Sequence, residues 1–278
     1  MIIDILTLFP DPVAGILNSS ILRRAQAGGN LELKATDLRQ FSDAGYRSVD
    51  DTPFGGGPGM LFRADILEKA LQDQLSKVNG KRSDLLIIYP SPRGLKLEQS
   101  FVQSLADWIV GQEGSAFGTE DSTQLDPAKK SPRRICVLAG RYEGIDERIL
   151  LKWVDLEISL GDFVLTGGEI PALALVDAIV RWIPGSLGKA ESAETESFSE
   201  GLLEYPQFTK PREYAGMEVP EVLLGGNHQA ISDFKLKQSL LVTYAFRPDL
   251  IRKHPGGGLP SWARELLEDL KRKCDLRA

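Results

Sequence analysis

The sequence predicts an α/β fold, a parallel sheet with helices on both faces, followed by a small, mostly helical C-terminal domain. Three observations carry this expectation. Short β-rich runs alternate with helical stretches through the first two-thirds of the chain, the pattern of successive strand–helix units. The runs at 85–89 (LLIIY) and 135–139 (ICVLA) are almost wholly apolar, as strands covered on both faces are. After Pro184-Gly185 the pattern ends in a polar stretch, and the remaining residues are Pro-rich and then helical.

Strands are expected at 2–8 (IIDILTL), 31–36, 85–89, 135–139 and 153–159, and helices at 63–77, 96–110, 145–151 and 170–183. Pro171 suits the first turn of the last helix, where a missing N–H costs no hydrogen bond. Segment 111–132 (GQEGSAFGTEDSTQLDPAKKSP) is small, polar and charged, and reads as a flexible surface insertion. Residues 186–202 read as an acidic interdomain linker. The expected organisation is an α/β domain over 1–185, that linker, and a helical domain over 203–278. The last has helices near 233–246 and 261–273, with Pro260-Ser261 supplying a stop and an N-cap for the second.

With 278 residues, 42% hydrophobic and 26% charged, the chain has ordinary globular composition, which excludes wholesale disorder. Its formal net charge of -6 excludes a diffusely basic nucleic-acid coat but leaves room for a local basic patch. The charge is uneven: residues 1–202 carry 21 basic and 29 acidic side chains, and residues 203–278 carry 12 and 10. Cys136 and Cys274 lie far apart and read as free thiols of a reducing compartment. The opening MIIDILTLFP lacks a basic flank and reads as a strand, not an export signal. The longest apolar candidate, IPALALVDAIVRWIP, is interrupted by Asp177 and Arg181. A soluble, cytoplasmic protein is expected.

Several chemistries are absent from the sequence. There is no HExxH and no paired CxxC, and His228 and His254 are the only histidines, so no metal site is expected. His228, in GGNHQA, reads as a loop residue making local hydrogen bonds. No GxSxG elbow, phosphate-loop lysine motif or GxGxxG follows a strand. What remains are three glycine clusters. The first, Asp50 to Gly59 (DDTPFGGGPG), specifies a fixed loop with exposed N–H groups, although a tight surface turn uses the same residues. The second, LAGRYEGIDER at 138–148, stands where a buried strand gives way to a helix, the place where open α/β sheets bind ligands. The third, SLGDFVLTGGEIP at 159–171, alternates apolar residues with glycine and suits a flat aromatic ring read by main-chain groups. Asp177 and Arg181 are spaced i, i+4 and can pair on one helix face, or Arg181 can point into a site.

Taken together, DDTPFGGGPGM, GRYEGIDERI, SLGDFVLTGGEIPAL, the helix ending RWIPGSLG, and MEVPEVLLGGNH resemble the bacterial tRNA (guanine-N1)-methyltransferases, the TrmD family of the SPOUT superfamily. The resemblance runs over nearly the whole chain, with 111–132 lacking a counterpart. It implies methyl transfer from S-adenosyl-L-methionine to guanine N1 of tRNA, at position 37, immediately 3′ of the anticodon, in support of reading-frame maintenance. It also implies a trefoil-knotted α/β domain, against the base rate for chain connections. An obligate homodimer with active sites at the dimer interface is implied as well, and no DNA or membrane partner. A Mg²⁺ requirement in catalysis is left open.

Residue by residue, the resemblance implies a cofactor pocket built from three loops. The first holds Tyr89, Ser91, Pro92 and Gly94, and the second Gly140, Arg141, Tyr142, Glu143 and Gly144. The third runs through Ser159, Leu160, Gly161, Asp162, Phe163, Val164 and Leu165 to Gly167, Gly168 and Pro171. Guanine N1 carries a proton, so a base must remove it while a cation steadies the charge on O6. Arg181 matches the family arginine that meets O6. The family base is an aspartate in a string like EDSF. Here Thr195-Glu196-Ser197-Phe198 aligns with it, so Glu196 takes its place, with Glu191 and Glu194 as alternatives. The linker would then order over the target when RNA binds. Asp50, Gly55, Gly56, Gly57 and Gly59 are expected near the RNA. Arg247, Arg252, Lys253, Arg264, Lys271, Arg272, Lys273 and Arg277 are the candidates for phosphate contacts, alongside their reading as a solvated helical face.

Three other readings remain open on the sequence. A SPOUT enzyme could methylate ribose or ribosomal RNA, a non-catalytic RNA-binding module could keep the scaffold, and GGGPG could serve a nucleotide-phosphate enzyme. The missing lysine counts against the last.

Overall fold

In a computed structural model the chain is described over residues 1–43, 45–111, 131–186 and 196–276. The element order is β1 (Ile2–Thr7), α1 (Pro10–Leu17), α2 (Ser20–Ala27), β2 (Glu32–Asp37), β3 (Asp50–Asp51), β4 (Leu61–Phe62) and α3 (Ala64–Ser76). Then come β5 (Leu85–Lys96), α4 (Gln99–Val110), β6 (Arg134–Leu138), α5 (Glu147–Trp153), β7 (Leu156–Ser159) and α6 (Glu169–Val180). The order closes with β8 (Glu213–Tyr214), β9 (Met217–Glu218), α7 (His228–Phe246), α8 (Pro248–Lys253) and α9 (Ser261–Asp275). Two compact units result, Met1–Ala190 and Glu191–Ala278. Most of the expected insertion (112–130) and of the expected linker (187–195) lies outside the described residues, as do Glu191, Glu194 and Arg277.

The first unit is an α/β fold around a five-stranded sheet ordered β2-β1-β6-β5-β7, with every pairing parallel. Alternate residues of each strand feed two cores. Ile3, Ile5, Leu86, Ile88, Ile135 and Val137 face α1, α2, α4 and α6. Leu6, Leu85, Ile87, Cys136 and Leu138 face α3 and α5. Burial on both faces explains why these strands read as unbroken apolar runs.

Several boundaries depart from the sequence expectation. Two eight-residue helices, α1 and α2, occupy the stretch for which no element was expected. In α1, Pro12 and Gly15 interrupt the apolar period. β5 continues to Lys96 across a bulge between Pro90 and Leu95, where Ser91-Pro92-Arg93-Gly94 reads locally as a turn. β7 begins at Leu156 because α5 runs on to the buried Trp153.

One polar cluster is enclosed in this unit. The carboxylate of Asp4, fully buried, accepts from Arg134 Nη2 at 2.8 Å, Gln74 Nε2 at 3.0 Å and Thr36 Oγ1 at 2.8 Å. It therefore ties β1 to β2, β6 and α3 with its oxygens hydrogen-bonded, as a buried charge requires.

The second unit packs Leu202, Leu240, Ile251, Ala263, Leu267, Leu270 and Cys274. Its first helix begins at His228, with the Asn227 side chain accepting from Ala230 N at 3.1 Å, so His228 is helical and not a loop residue. In α9 the cap position is Pro260 without a side-chain bond, and Ser261 is the first helical residue, not the cap. His254 is a structural histidine. Its Nδ1 accepts from Gly256 N at 3.0 Å, which leaves Nε2 to donate to Glu200 O at 3.0 Å. Among the described residues, no helix is long and apolar enough to cross a membrane.

Removing one member of the Asp4 cluster strands a buried charge. Arg134→Met is expected to lower unfolding stability by about 3 kcal/mol, read as a lower urea midpoint with the circular dichroism of the folded protein unchanged.

Candidate functional site

At the C-terminal edge of the sheet, three strand ends open onto one cleft of about 240 Å³. The continuation of β5 supplies Tyr89, Pro90, Ser91 and Pro92, and the loop after β6 supplies Gly140 to Gly144. The end of β7 and the passage after it supply Ile158 to Gly161, Phe163 to Gly168, and Pro171 on α6. The three sequence clusters expected to form a pocket are thus brought together, with two exceptions. Gly94 and Asp162 do not line it. A Cβ on Gly94 would sit 2.4 Å from Ile158 N, so this glycine lets β5 approach β7 beyond the bulge. Asp162 is 83% exposed at its side chain and pairs with Lys96 Nζ at 3.1 Å. Pro90, Ile158 and Thr166 line the cleft without having been singled out. Ile158 reads only as core, and nothing local distinguishes the other two.

The loops are held by main-chain contacts that leave no room for side chains. Gly168 N donates to Gly140 O at 2.7 Å, and a Cβ on Gly168 would lie 2.6 Å from Gly140 N. A Cβ on Gly167 would lie 2.3 Å from Arg141 Nε. Arg141 bridges the second and third loops. Its Nε donates to Glu169 Oε2 at 2.9 Å, its Nη1 donates to Thr166 O at 3.2 Å, and its Cζ sits 4.5 Å from the Phe9 ring centroid. Glu169 is 7% exposed and accepts a second hydrogen bond, from Thr7 Oγ1 at 2.9 Å. Phe9, Thr7 and Glu169 escaped the sequence reading, since only the fold brings β1 against 141 and 169.

On the opposite wall, Tyr89 is buried, and that burial raises its phenol above the ordinary value, with the Glu157 charge adding to it. Glu157 in turn accepts from Arg93 Nε at 2.9 Å, while Arg93 Nη2 donates to Glu147 at 3.1 Å. One guanidinium therefore clamps the bulge of β5 to β7 and to the start of α5.

The first glycine cluster is stitched to the second. Glu143 N donates to Met60 O at 3.0 Å and Phe62 N to Gly144 O at 3.1 Å. Tyr142, at φ 60°, stands edge-on to Phe62 at 5.3 Å. Its phenol is raised by burial first, then by the charge of Asp50 and a hydrogen bond to it. Gly59 packs on the Glu143 side chain, whereas Gly55, Gly56 and Gly57 have positive φ and open space where a Cβ would be. Asp50 and this loop thus border the cleft through Tyr142 and Glu143. A wider cleft of about 690 Å³ lies along 51–54, α3 and α5. Its cations each hold a carboxylate, Arg63 with Asp65, Arg148 with Asp146 and Lys152 with Glu68.

Arg181 is half-buried at the C-cap of α6, one turn after the exposed Asp177. Glu196 belongs to the second unit, half-buried, with its carbonyl accepting from Ser199 N at 3.3 Å. The C-terminal cations carry partners of their own: Arg247 with Asp249, Arg252 with Asp275, Lys271 with Glu268, and Arg272 and Lys273 with Asp269. Lys253 and Arg264 are exposed on α8 and α9. Among the described residues, no three His, Cys, Asp or Glu side chains are grouped to hold a metal ion.

A family model described as tRNA (Guanine-1)-methyltransferase TrmD matches residues 1–110 and 108–253. The chain belongs to this family. It is similar over nearly its full length to proteins named tRNA (guanine-N(1)-)-methyltransferase. The one from Moorella thermoacetica is 40% identical over 273 residues, 98% of each chain. That from Desulforudis audaxviator is 42% identical over 98% of this chain and 97% of its own. That from Methylobacillus flagellatus is 44% identical over 91% and 87%. The two matched segments overlap at 108–110, just before 111–132.

In this TrmD family member the Asp50 charge should be legible at Tyr142. A nearby carboxylate disfavours the phenolate, so Asp50→Asn is expected to lower the Tyr142 pKa toward its ordinary 10.0. Spectrophotometric titration against a Tyr142→Phe control reads this, and an unmoved transition would remove Asp50 as a cause.

Proposed function

We infer that the protein transfers the methyl group of S-adenosylmethionine to N1 of guanine in tRNA, at position 37 next to the anticodon, in support of reading-frame maintenance in the cytoplasm. The observation that carries this reading is the glycine-lined cleft at three strand ends in a chain of this family. Its residues fit the donor. Gly140, Gly144, Gly161 and Gly168 line the cleft without side chains, so a ligand meets the main chain there, and Tyr89, Leu160, Phe163 and Leu165 give apolar walls for a flat ring. S-adenosylmethionine supplies an electrophilic methyl on sulfur.

The chain's own residues supply the rest. The guanine N1 proton must leave as the new bond forms, and Glu196 is assigned to take it. A glutamate supplies the same carboxylate group as an aspartate. It reaches about one bond further than the family aspartate, a shift that matters because misplacement is costly. Arg181 is assigned to the charge that builds on O6, where a preplaced cation costs no reorganisation. Asp50 and the 55–59 loop, joined to the cleft wall through Tyr142 and Glu143, are placed near the nucleotides flanking the target.

Two further parts of this reading rest on family membership: a trefoil-knotted SPOUT arrangement of the first unit, and a homodimer whose second copy completes the site. Supporting the second, Phe163, Val164, Leu165 and Ile170 are exposed beside the cleft, at 55%, 87%, 37% and 60%, an apolar group that water leaves uncovered at a cost. The domain over 203–278 is read as the tRNA-binding part. Arg247, Arg252, Lys271, Arg272 and Lys273 are already paired with carboxylates, so phosphates that bind there must displace those partners.

The decisive test is methyl transfer from labelled S-adenosylmethionine to a tRNA transcript with guanosine or adenosine at position 37. Label is expected at guanosine N1 alone, and label on ribose, or none, would overturn the reading. Glu196→Gln is expected to slow turnover by about a hundredfold or more while leaving S-adenosylmethionine affinity unchanged. Near-normal turnover would remove the assignment. Binding of tRNA should weaken steeply between low and high salt, and replacing Lys253 and Arg264 by Ala should flatten that dependence.

A further inference from the structure

Arg141 creates an electrostatic problem for S-adenosylmethionine as the donor, so the inference drawn from it rests on the functional reading already proposed. The residue lines the cleft, yet S-adenosylmethionine carries a positive sulfonium, and two like charges in a partly desolvated cleft repel. Glu169 answers this. The residue is 7% exposed and does not line the cleft, and its carboxylate accepts from Arg141 Nε at 2.9 Å. The fully buried Thr7 hydroxyl holds the other oxygen at 2.9 Å. The π face of Phe9, 4.5 Å from Arg141 Cζ, adds negative potential on the same cation. A carboxylate this enclosed has no packing advantage over a neutral amide. What it uniquely provides is a compensating charge.

We propose that Glu169 is a positioning residue that neutralises Arg141. By doing so it lets the cleft favour the cationic donor S-adenosylmethionine over S-adenosylhomocysteine, the neutral-sulfur product of the reaction. The two ligands share every other group and differ by the methyl and the one charge at sulfur. A purely structural role for Glu169 would weaken both alike. A charge role moves their ratio, which also bears on how readily product leaves once the methyl has gone.

The test is calorimetric titration of the full-length protein with S-adenosylmethionine and S-adenosylhomocysteine separately, for wild type, Glu169→Gln, Arg141→Met and the double variant. Glu169→Gln is expected to lower the donor-to-product affinity ratio by about fivefold, the order of effect of one unscreened like charge at the edge of solvent. Arg141→Met is expected to shift the ratio the other way. The double variant, which removes both charges, should return it to within about twofold of wild type, since the two sites act as one coupled pair. Equal losses for both ligands in Glu169→Gln, or a double variant that keeps the shift, overturns the proposal. Should Glu169→Gln not fold, as its melting curve would show, the other two variants decide. A wild-type ratio in Arg141→Met, or a displaced one in the double variant, then counts against it. A wild-type protein that binds neither ligand would instead sink the functional reading itself.

Discussion

The cleft depends on one main-chain contact. Gly168 meets Gly140 through an N–H···O bond of 2.7 Å at a separation no Cβ could survive. This contact brings the end of β6 and the start of α6 to within backbone distance and lets Arg141 cross from one to the other. It also leaves main-chain groups, not side chains, as the floor of the site. Binding surfaces of this kind carry little rotamer entropy, so they are set before a ligand arrives. The glycines are dense here because the geometry excludes everything else.

Charge is handled in the same preset manner. Arg141 with Glu169, Arg93 with Glu157 and Glu147, and Arg134 with Asp4 each join segments far apart in the chain. Among the described residues, no buried side-chain nitrogen or oxygen lacks a hydrogen-bond partner. The pairs differ in what they do. Asp4 and Arg134 lie within the sheet, where a buried ion pair adds little stability and much specificity of arrangement. Arg93 is half-exposed, and its strength comes from the buried carboxylate of Glu157 at the other end.

How much of this was legible in the sequence depends on what kind of signal each feature leaves. Strands 85–89 and 135–139 were plain because burial on both faces demands an apolar residue at every position. Helices α1 and α2 were not, because each is only eight residues long and leaves too short a period to detect, and α1 carries two prolines and a glycine besides. Two of the three glycine clusters marked the cleft, since positive φ and close approach write a glycine into the chain directly. The letter does not say what comes close. At Gly168 it is another loop of the cleft, and at Gly94 it is the neighbouring strand. Glu169 looked like an ordinary first-turn acid, and Thr7 and Phe9 like the end of a strand. The partnership of these residues spans up to 162 positions, from Thr7 to Glu169, and has no local trace. Folding supplies it.

The strand order has a consequence for how the chain comes to be made. β1 is flanked on one side by β2, about thirty residues on, but on the other by β6, whose first residue is Arg134. A nascent polypeptide emerging at about 5–20 residues per second therefore spends several seconds with its first strand bare along one edge, an apolar ribbon with unpaired amides. The carboxylate of Asp4 sits on that ribbon, and before Arg134 appears it is a charge on a surface that would otherwise invite another strand. A charge placed among apolar side chains disfavours pairing with another strand, and Asp4 is the one charge on β1.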